Sequence, residues 1–112
     1  MKISEVNGFP EIDVETALSH IKEFRLIDVR TPEEYTGELG HIENSELICL
    51  GPDVMNFLET ADKDEPILFI CRSGGRSGQA TLVSQQLGFK KTYNLIGGML
   101  EWNRKGLPKA SK

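Results

Sequence analysis

The sequence predicts an α/β domain with a central, mostly parallel sheet and helices on both of its faces. Strand-like and helix-like segments alternate along the chain, at a spacing typical of parallel strands joined by right-handed crossovers. The run Ile67–Ile70 is continuously apolar, as expected for a central strand covered on both faces. The length of 112 residues fits one domain over 1–112, in which residues 108–112 are expected to form a loose tail.

Two helix starts are the clearest local signals in the first half of the chain. Asp13 is suited to cap a helix because its carboxylate can accept a hydrogen bond from the first turn. After a strand over 25–29, Thr31 caps the next helix, Pro32 takes its first position and Glu34 closes a capping box. The apolar face of the first helix is predicted to consist of Val14, Ala17, Leu18 and Ile21.

The second half continues the alternation. A second strand is predicted over 46–50, before a helix that Asp53 opens. The helix after the central strand is expected to end at Gly88, and a strand over 92–95 leads through Gly97 into a last helix. The core face of the helix that ends at Gly88 is predicted to contain Ala80, Leu82, Val83 and Leu87.

Composition and charge exclude several classes of function. Thirteen Lys and Arg against seventeen Asp and Glu give a net charge of 13 − 17 = −4, without a long basic run. This balance argues against nucleic-acid binding and against adhesion to anionic membranes. The longest apolar stretches, such as residues 67–71, are too short to cross a bilayer, and the N-terminus lacks the apolar region of a secretory signal. With only two cysteines, we expect a reducing, cytoplasmic location.

The segment with the clearest chemistry follows the central strand and precedes a helix, and it reads Cys71-Arg72-Ser73-Gly74-Gly75-Arg76-Ser77. In parallel α/β sheets, ligand sites lie beyond the carboxyl ends of the strands. Glycines let backbone N–H groups converge into an anion-binding nest, and the helix N-terminus adds further donors. A cysteine facing these donors is stabilised as the reactive thiolate. The alternative, a buried structural cysteine with surface arginines, does not explain the two glycines and two arginines beside it.

These segments together resemble the single-domain rhodaneses, a family of thiosulfate and persulfide sulfurtransferases. The resemblance covers nearly the whole chain, and it implies a three-layer fold of the kind predicted above. It rests on Leu26-Ile27-Asp28-Val29-Arg30 with Pro32-Glu33-Glu34-Tyr35, on Gly40-His41-Ile42, on the loop from Cys71 to Ser77, and on Gly97-Gly98-Met99-Leu100-Glu101-Trp102. The chain departs from the family at Glu43-Asn44-Ser45, where other members usually have Pro-Gly-Ala.

The resemblance implies that Cys71 is a catalytic nucleophile that carries a sulfane sulfur as a persulfide. The donor is expected to be thiosulfate or a persulfide, and the acceptor a thiol, cyanide or a protein; no metal or organic cofactor is required. Phosphatases of similar fold place five residues between cysteine and arginine, whereas four separate Cys71 from Arg76, which favours sulfur chemistry. The substrate-binding residues are expected to be Arg72, Ser73, Gly74, Gly75, Arg76 and Ser77, and the two arginines fit a highly charged donor such as thiosulfate.

Two alternatives to an active sulfurtransferase stay open at this point. The first is a sulfur-relay or protein-interaction module, in which Cys71 carries sulfur between proteins with little turnover of thiosulfate. The second is a small phosphatase, which the short loop disfavours. The intact cysteine and both arginines favour activity, because a domain used only for binding needs no thiol.

Six residues outside the loop have competing interpretations. Cys49 is predicted to be a buried core thiol, with a resolving cysteine for Cys71 as the alternative. His41 is predicted to make a structural hydrogen bond, and His20 to be a helix-end or surface group. No metal site is expected, because the two histidines lie far apart without ligands at suitable spacing. Asp28 and Arg30 are predicted to form a structural ion pair, and Trp102 to belong to the core.

Overall fold

The computed structural model describes residues 1–110 and has the predicted α/β architecture. The five strands form one parallel sheet in the order β1-β5-β4-β2-β3. The strands are β1 (Glu11–Ile12), β2 (Arg25–Asp28), β3 (Glu46–Leu47), β4 (Ile67–Ile70) and β5 (Thr92–Leu95). The helices are α1 (Val14–Ser19), α2 (Pro32–Tyr35), α3 (Pro52–Thr60), α4 (Gly75–Gln86) and α5 (Gly98–Arg104), with a 3-10 turn at Ile21–Glu23. None of the helices formed by residues 1–110 has the length and apolar character that a bilayer span requires.

Helices cover both faces of the sheet, as the continuous apolar run in β4 predicts. Successive residues of a strand point to opposite faces, so Leu68 and Ile70 pack on one side while Ile67 and Phe69 pack on the other. The first side is covered by α1 and α5, and its core is Ile12, Val14, Ala17, Leu26, Ile42, Leu68, Ile70, Leu95, Met99 and Trp102. The second side is covered by α3 and α4, and its core is Ile27, Val29, Val54, Leu58, Ile67, Phe69, Cys71, Ala80 and Phe89.

Local capping signals predict the helix starts well. Asp13 accepts a hydrogen bond from the Thr16 N–H at 2.7 Å, and Thr31 with Glu34 forms the predicted capping box around Pro32. The helix expected from Asp53 begins one residue earlier, at Pro52, because proline is favoured in the first turn.

One strand was missed and two predictions about the elements are wrong. The missed strand is β1, because a strand of two residues gives no periodicity. The strand expected over 46–50 ends at Leu47, although Ile48 and Leu50 still donate backbone hydrogen bonds to β2 and its end. The core face of α4 is also different: Leu82 and Leu87 are exposed, and the buried residues are Ser77, Gly78, Ala80, Thr81 and Ser84.

The end of the chain is held more firmly than a loose tail would be. Ala110 forms an antiparallel bridge with His41, with N–H to O distances of 2.7 Å in both directions. The carbonyl of Pro108 accepts a hydrogen bond from the Trp102 indole at 2.7 Å. The expectation of a tail over 108–112 is therefore wrong for residues 108–110, and its last two residues lie outside the described part of the chain.

Candidate active site

The loop from Cys71 to Ser77 curves around the sulfur of Cys71, at the carboxyl end of β4. The Gly74 N–H donates to Cys71 Sγ at 3.0 Å, and the Ser77 hydroxyl lies 3.2 Å from the same sulfur. Gly74 has a φ of +104°, a conformation that favours glycine, and it directly precedes α4. The turn therefore brings both the N–H donors and the N-terminus of α4 to the cysteine.

The surroundings of Cys71 favour its thiolate. Burial of the side chain raises the thiol pKa, but hydrogen bonds from the Ser77 hydroxyl and from the backbone N–H groups of Ser77, Gly74 and Ser73 outweigh this effect. The net result is a pKa below the ordinary value of 9.0. A larger share of thiolate at neutral pH makes the sulfur more nucleophilic than an ordinary buried cysteine.

A chain of buried polar side chains continues from Ser77 to the edge of the sheet. The Ser77 hydroxyl also lies within hydrogen-bond distance of Asn94 Oδ1, while Asn94 Nδ2 donates to Glu11 Oε2 at 2.7 Å. Glu11 in turn accepts a hydrogen bond from Asn7. Because a hydroxyl has one proton, Ser77 donates either to the sulfur or to Asn94. The two acceptors thus compete for the same donor.

The two loop arginines have different surroundings. Arg72 is exposed, and within residues 1–110 its guanidinium makes neither a hydrogen bond nor an ion pair. Arg76 is half-buried, and both of its terminal nitrogens donate to Glu34 at 2.7 Å. Arg76 therefore joins α4 to the start of α2, a contact between residues 42 positions apart that the sequence does not predict.

Two contacts hold the backbone around this loop. The N–H groups of Met99 and Leu100, in the first turn of α5, donate to the carbonyls of Cys71 and Arg72 at 2.9 Å. Gly98 lies so close to these two carbonyls that a side-chain Cβ would overlap with them. The first turn of α5 therefore fixes the position of the cysteine, and Trp102 of the same helix lies in the core as predicted.

Arg30 and Asp28 form the predicted structural ion pair. Both side chains are almost fully buried, at 1% and 0% exposure, and the guanidinium nitrogens bond both carboxylate oxygens at 2.8–3.2 Å. Arg30 also donates to the backbone carbonyls of Glu34 and Gly40. This pair therefore connects the end of β2 to α2 and to the turn that follows it.

The segment that departs from the family pattern forms a tight turn. Asn44 has a φ of +71°, which asparagine tolerates better than most residues, so it fits the position at which the resemblance leads us to expect glycine. The Tyr35 hydroxyl donates to the Ser45 carbonyl at 2.7 Å, and its ring stacks on His41. His41 donates from Nδ1 to the Tyr35 carbonyl at 2.8 Å, which confirms the predicted structural hydrogen bond.

The remaining candidates lie apart from these contacts. Cys49 is half-buried and follows the end of β3, so the prediction of a buried core thiol is wrong. His20 lies at the end of α1 and bonds Glu23, as expected for a helix-end group. Within residues 1–110, no three or more His, Cys, Asp or Glu side chains come together in a way that could hold a metal ion.

The structure thus brings some of the expected site residues together and separates others. Cys71, Gly74 and Ser77 meet at the sulfur, and Ser73 contributes its backbone, whereas Arg72 and Gly75 are exposed and Arg76 turns to Glu34. Sequence reasoning missed Glu34 as the partner of Arg76, together with the buried residues Asn94 and Glu11. An asparagine inside strand β5 was the one local signal for the buried chain of polar groups.

Comparison with known proteins defines the class to which this fold and loop belong. The model of the rhodanese-like domain matches residues 13–105, so the chain belongs to the rhodanese-like domain family. A rhodanese-related protein from Thermoplasma volcanium has the same fold, with a TM-score of 0.80, 27% identity, and coverage of 91% of this chain and 98% of that protein.

Two relatives that are similar in sequence are named as sulfurtransferases. The putative sulfurtransferase YtwF of Bacillus subtilis is 42% identical over 88 residues, which cover 79% of this chain and 82% of the relative. The thiosulfate sulfurtransferase GlpE of Vibrio cholerae is 31% identical over 105 residues, which cover 92% of this chain and 96% of the relative. The chain is therefore a member of a family of sulfurtransferases.

Proposed function

We propose that this protein is a sulfurtransferase that carries a sulfane sulfur on Cys71, between a thiosulfate or persulfide donor and a thiol or cyanide acceptor. The observation that carries the proposal is the ring of hydrogen-bond donors around Cys71 Sγ, from Gly74 and Ser77. These donors lower the pKa of the thiol and surround the place where sulfur would be bound. The similarity to the thiosulfate sulfurtransferase GlpE supports the same chemistry.

The reaction has two steps, in which electrons and atoms balance without a cofactor. The Cys71 thiolate attacks the outer sulfur of thiosulfate, the S–S bond of the donor breaks, and sulfite leaves with the electron pair. An acceptor such as cyanide then attacks the outer sulfur of the persulfide, forms thiocyanate and restores the thiolate. We assign the binding of donor and persulfide to the loop residues Arg72, Ser73, Gly74, Gly75, Arg76 and Ser77.

Thiosulfate:cyanide turnover of matched serine variants tests this proposal. Cys71→Ser removes the nucleophile with almost no change in shape, so we expect turnover to fall to background while the domain still folds. Cys49→Ser is the matched control, since Cys49 makes no hydrogen bond to the loop residues, and it should keep most of the activity. Substantial turnover by folded Cys71→Ser would contradict the proposal.

A sulfur-relay module is the second candidate function, because one relative is named as a sulfur carrier protein. The putative sulfur carrier protein YrkF of Bacillus subtilis is 35% identical over 102 residues, which cover 88% of this chain and 54% of that relative. A relay module would form the Cys71 persulfide readily but release it slowly to cyanide. Rapid loading with turnover that stays slow at saturating cyanide would favour the relay, and fast turnover would favour the enzyme.

A further inference from the structure

The ion pair between Arg76 and Glu34 changes the charge of the proposed donor site. Two parallel contacts of 2.7 Å join the guanidinium to the carboxylate, and the two side chains are 36% and 27% exposed. Hydrogen bonding from Arg76 lowers the pKa of Glu34 to about 2, and the same contact raises the pKa of Arg76. Both groups are therefore charged over the working pH range, and the pair is neutral overall.

Glu34 is held in place from its other side by the helix cap. The Thr31 N–H donates to Glu34 Oε1 at 3.1 Å, the Thr31 hydroxyl lies 3.2 Å from the same oxygen, and the Glu34 N–H donates back to that hydroxyl at 3.3 Å. A carboxylate fixed in this way has little rotamer freedom left to lose when it binds an arginine. The first turn of α2 thus presents a preorganised negative charge to the active-site loop.

Carboxylates neutralise two of the three arginines near the loop. Arg30 is bonded to buried Asp28, and Arg76 is bonded to Glu34. Arg72 is the loop cation that has no ion pair within residues 1–110, and the cleft beside it is also lined by three glutamates, Glu33, Glu34 and Glu38. A doubly charged anion that approaches the Cys71 thiolate therefore finds less attraction than the two loop arginines alone would provide.

We propose that Glu34 is a specificity-determining residue that makes the site favour donors with a singly charged leaving group over thiosulfate. This inference rests on the proposed function and names its donor class, an alkyl persulfide. The Cys71 thiolate attacks the outer sulfur of R–S–SH, the S–S bond breaks, and R–S⁻ leaves with the electron pair. Thiosulfate instead releases sulfite, a dianion whose second charge a neutralised Arg76 stabilises poorly.

The variant Glu34→Gln tests the charge without removing the cap. Glutamine closes a capping box as glutamate does, so the helix start is kept while the ion pair is lost. Glu59→Gln is the matched control, because it makes the same charge change on an exposed side chain of α3 that does not line the cleft beside Arg72. The measurement is kcat/KM for loading Cys71 from thiosulfate and from 2-hydroxyethyl persulfide, an alkyl donor whose leaving group carries a single charge.

We expect Glu34→Gln to raise kcat/KM for thiosulfate about tenfold, or roughly 1.4 kcal/mol of transition-state stabilisation, and to change the value for the persulfide by less than about twofold. In Glu59→Gln, the ratio of the two values should change by less than about twofold, because an exposed charge outside the cleft is screened. The inference is overturned if Glu34→Gln changes kcat/KM for both donors equally or for neither, or if Glu59→Gln has the same effect.

Binding to an inactive variant separates this inference from the proposed function. In a Cys71→Ala background, calorimetry should show thiosulfate binding about threefold to tenfold more tightly after Glu34→Gln, since Arg76 is released. If that shift appears but wild-type Cys71 takes up sulfur from no donor, the proposed function fails while the control of charge by Glu34 stands. If Cys71 takes up sulfur but Glu34→Gln changes neither the affinity for thiosulfate nor the ratio of kcat/KM for the two donors, the proposed function stands and the role of Glu34 is refuted.

Discussion

Replacing Ser77 with alanine should raise the pKa of Cys71 by about one unit. The Ser77 hydroxyl lies 3.2 Å from Cys71 Sγ, whereas the backbone donors of Gly74, Ser73 and Ser77 itself stay in place after the substitution. A hydrogen bond to a charged group contributes about 1.5–3 kcal/mol. Because the single Ser77 proton is shared with Asn94, the lower end applies, and roughly 1.4 kcal/mol corresponds to about one pKa unit.

The ultraviolet absorbance of the thiolate, followed against pH in a Cys49→Ser background, measures this pKa directly. The wild-type midpoint should lie below 9.0, and the Ser77→Ala midpoint should lie about one unit above the wild-type value. Ser84→Ala is the matched control, because Ser84 is also a buried hydroxyl of α4 but bonds Thr81 and Thr92 instead of the sulfur. An unchanged midpoint in Ser77→Ala would show that backbone N–H groups alone stabilise the thiolate.

Three further predictions concern the contacts that hold the loop. Gly98→Ala should lower the free energy of unfolding in urea by more than about 2 kcal/mol, because the new Cβ meets the carbonyls of Cys71 and Arg72. The control Gly106→Ala, at φ +67° in open space, should lower it by only about 1 kcal/mol, and equal losses in the two variants would refute the clash. Arg30→Ala should cost about 3–5 kcal/mol by leaving Asp28 buried without its partner, and a thermal melt near that of wild type would contradict this. The pKa of Glu34, about 2, lies below the usual 4.5, so its ion pair stabilises the fold above pH 4.5 and this contribution disappears as pH falls toward 2. Glu34→Gln should therefore be about 1 kcal/mol less stable than wild type at pH 7, but as stable as wild type near pH 2. A difference in stability that stays constant with pH would argue against the ion pair.

Local signals in the sequence predict much of the fold. The cap at Asp13 and the capping box of Thr31 and Glu34 depend on residues within four positions of each other, and both are present in the structure. The apolar run Ile67–Ile70 similarly predicts a central strand, since only a strand covered on both faces has no polar alternation. The position of the loop after this strand follows directly from the order of the elements.

The wrong prediction for α4 shows where apolar periodicity misleads. Leu82 and Leu87 are exposed, while the side facing the sheet contains small hydroxyl residues. Thr81 donates to a carbonyl of its own helix, and Ser84 lies 2.6 Å from Thr92 of β5, so these polar groups are satisfied in the core. Small side chains let the helix approach the sheet closely, and hydrophobicity alone does not reveal that arrangement.

The electrostatics of the site were the least predictable feature, because they depend on contacts between distant residues. The loop sequence suggests two free arginines, but Arg76 is bonded to a residue 42 positions earlier in the chain. The Ser77–Asn94–Glu11 chain similarly joins α4, β5 and β1. The position of the loop could be predicted from the sequence, whereas the neutralisation of its charges depends on contacts between distant residues that only the fold brings together.

The mass of the intact protein, measured before and after incubation with thiosulfate or an alkyl persulfide, tests the central claim most directly. The account predicts that the protein gains one sulfur atom, located on the peptide that contains Cys71, and that cyanide or a thiol removes it again. Cys49→Ser should gain the same atom, and Cys71→Ser should gain none. A wild-type protein that takes up no sulfur from either donor, or that takes it up on Cys49 instead, would contradict the assignment of Cys71 as the sulfur carrier.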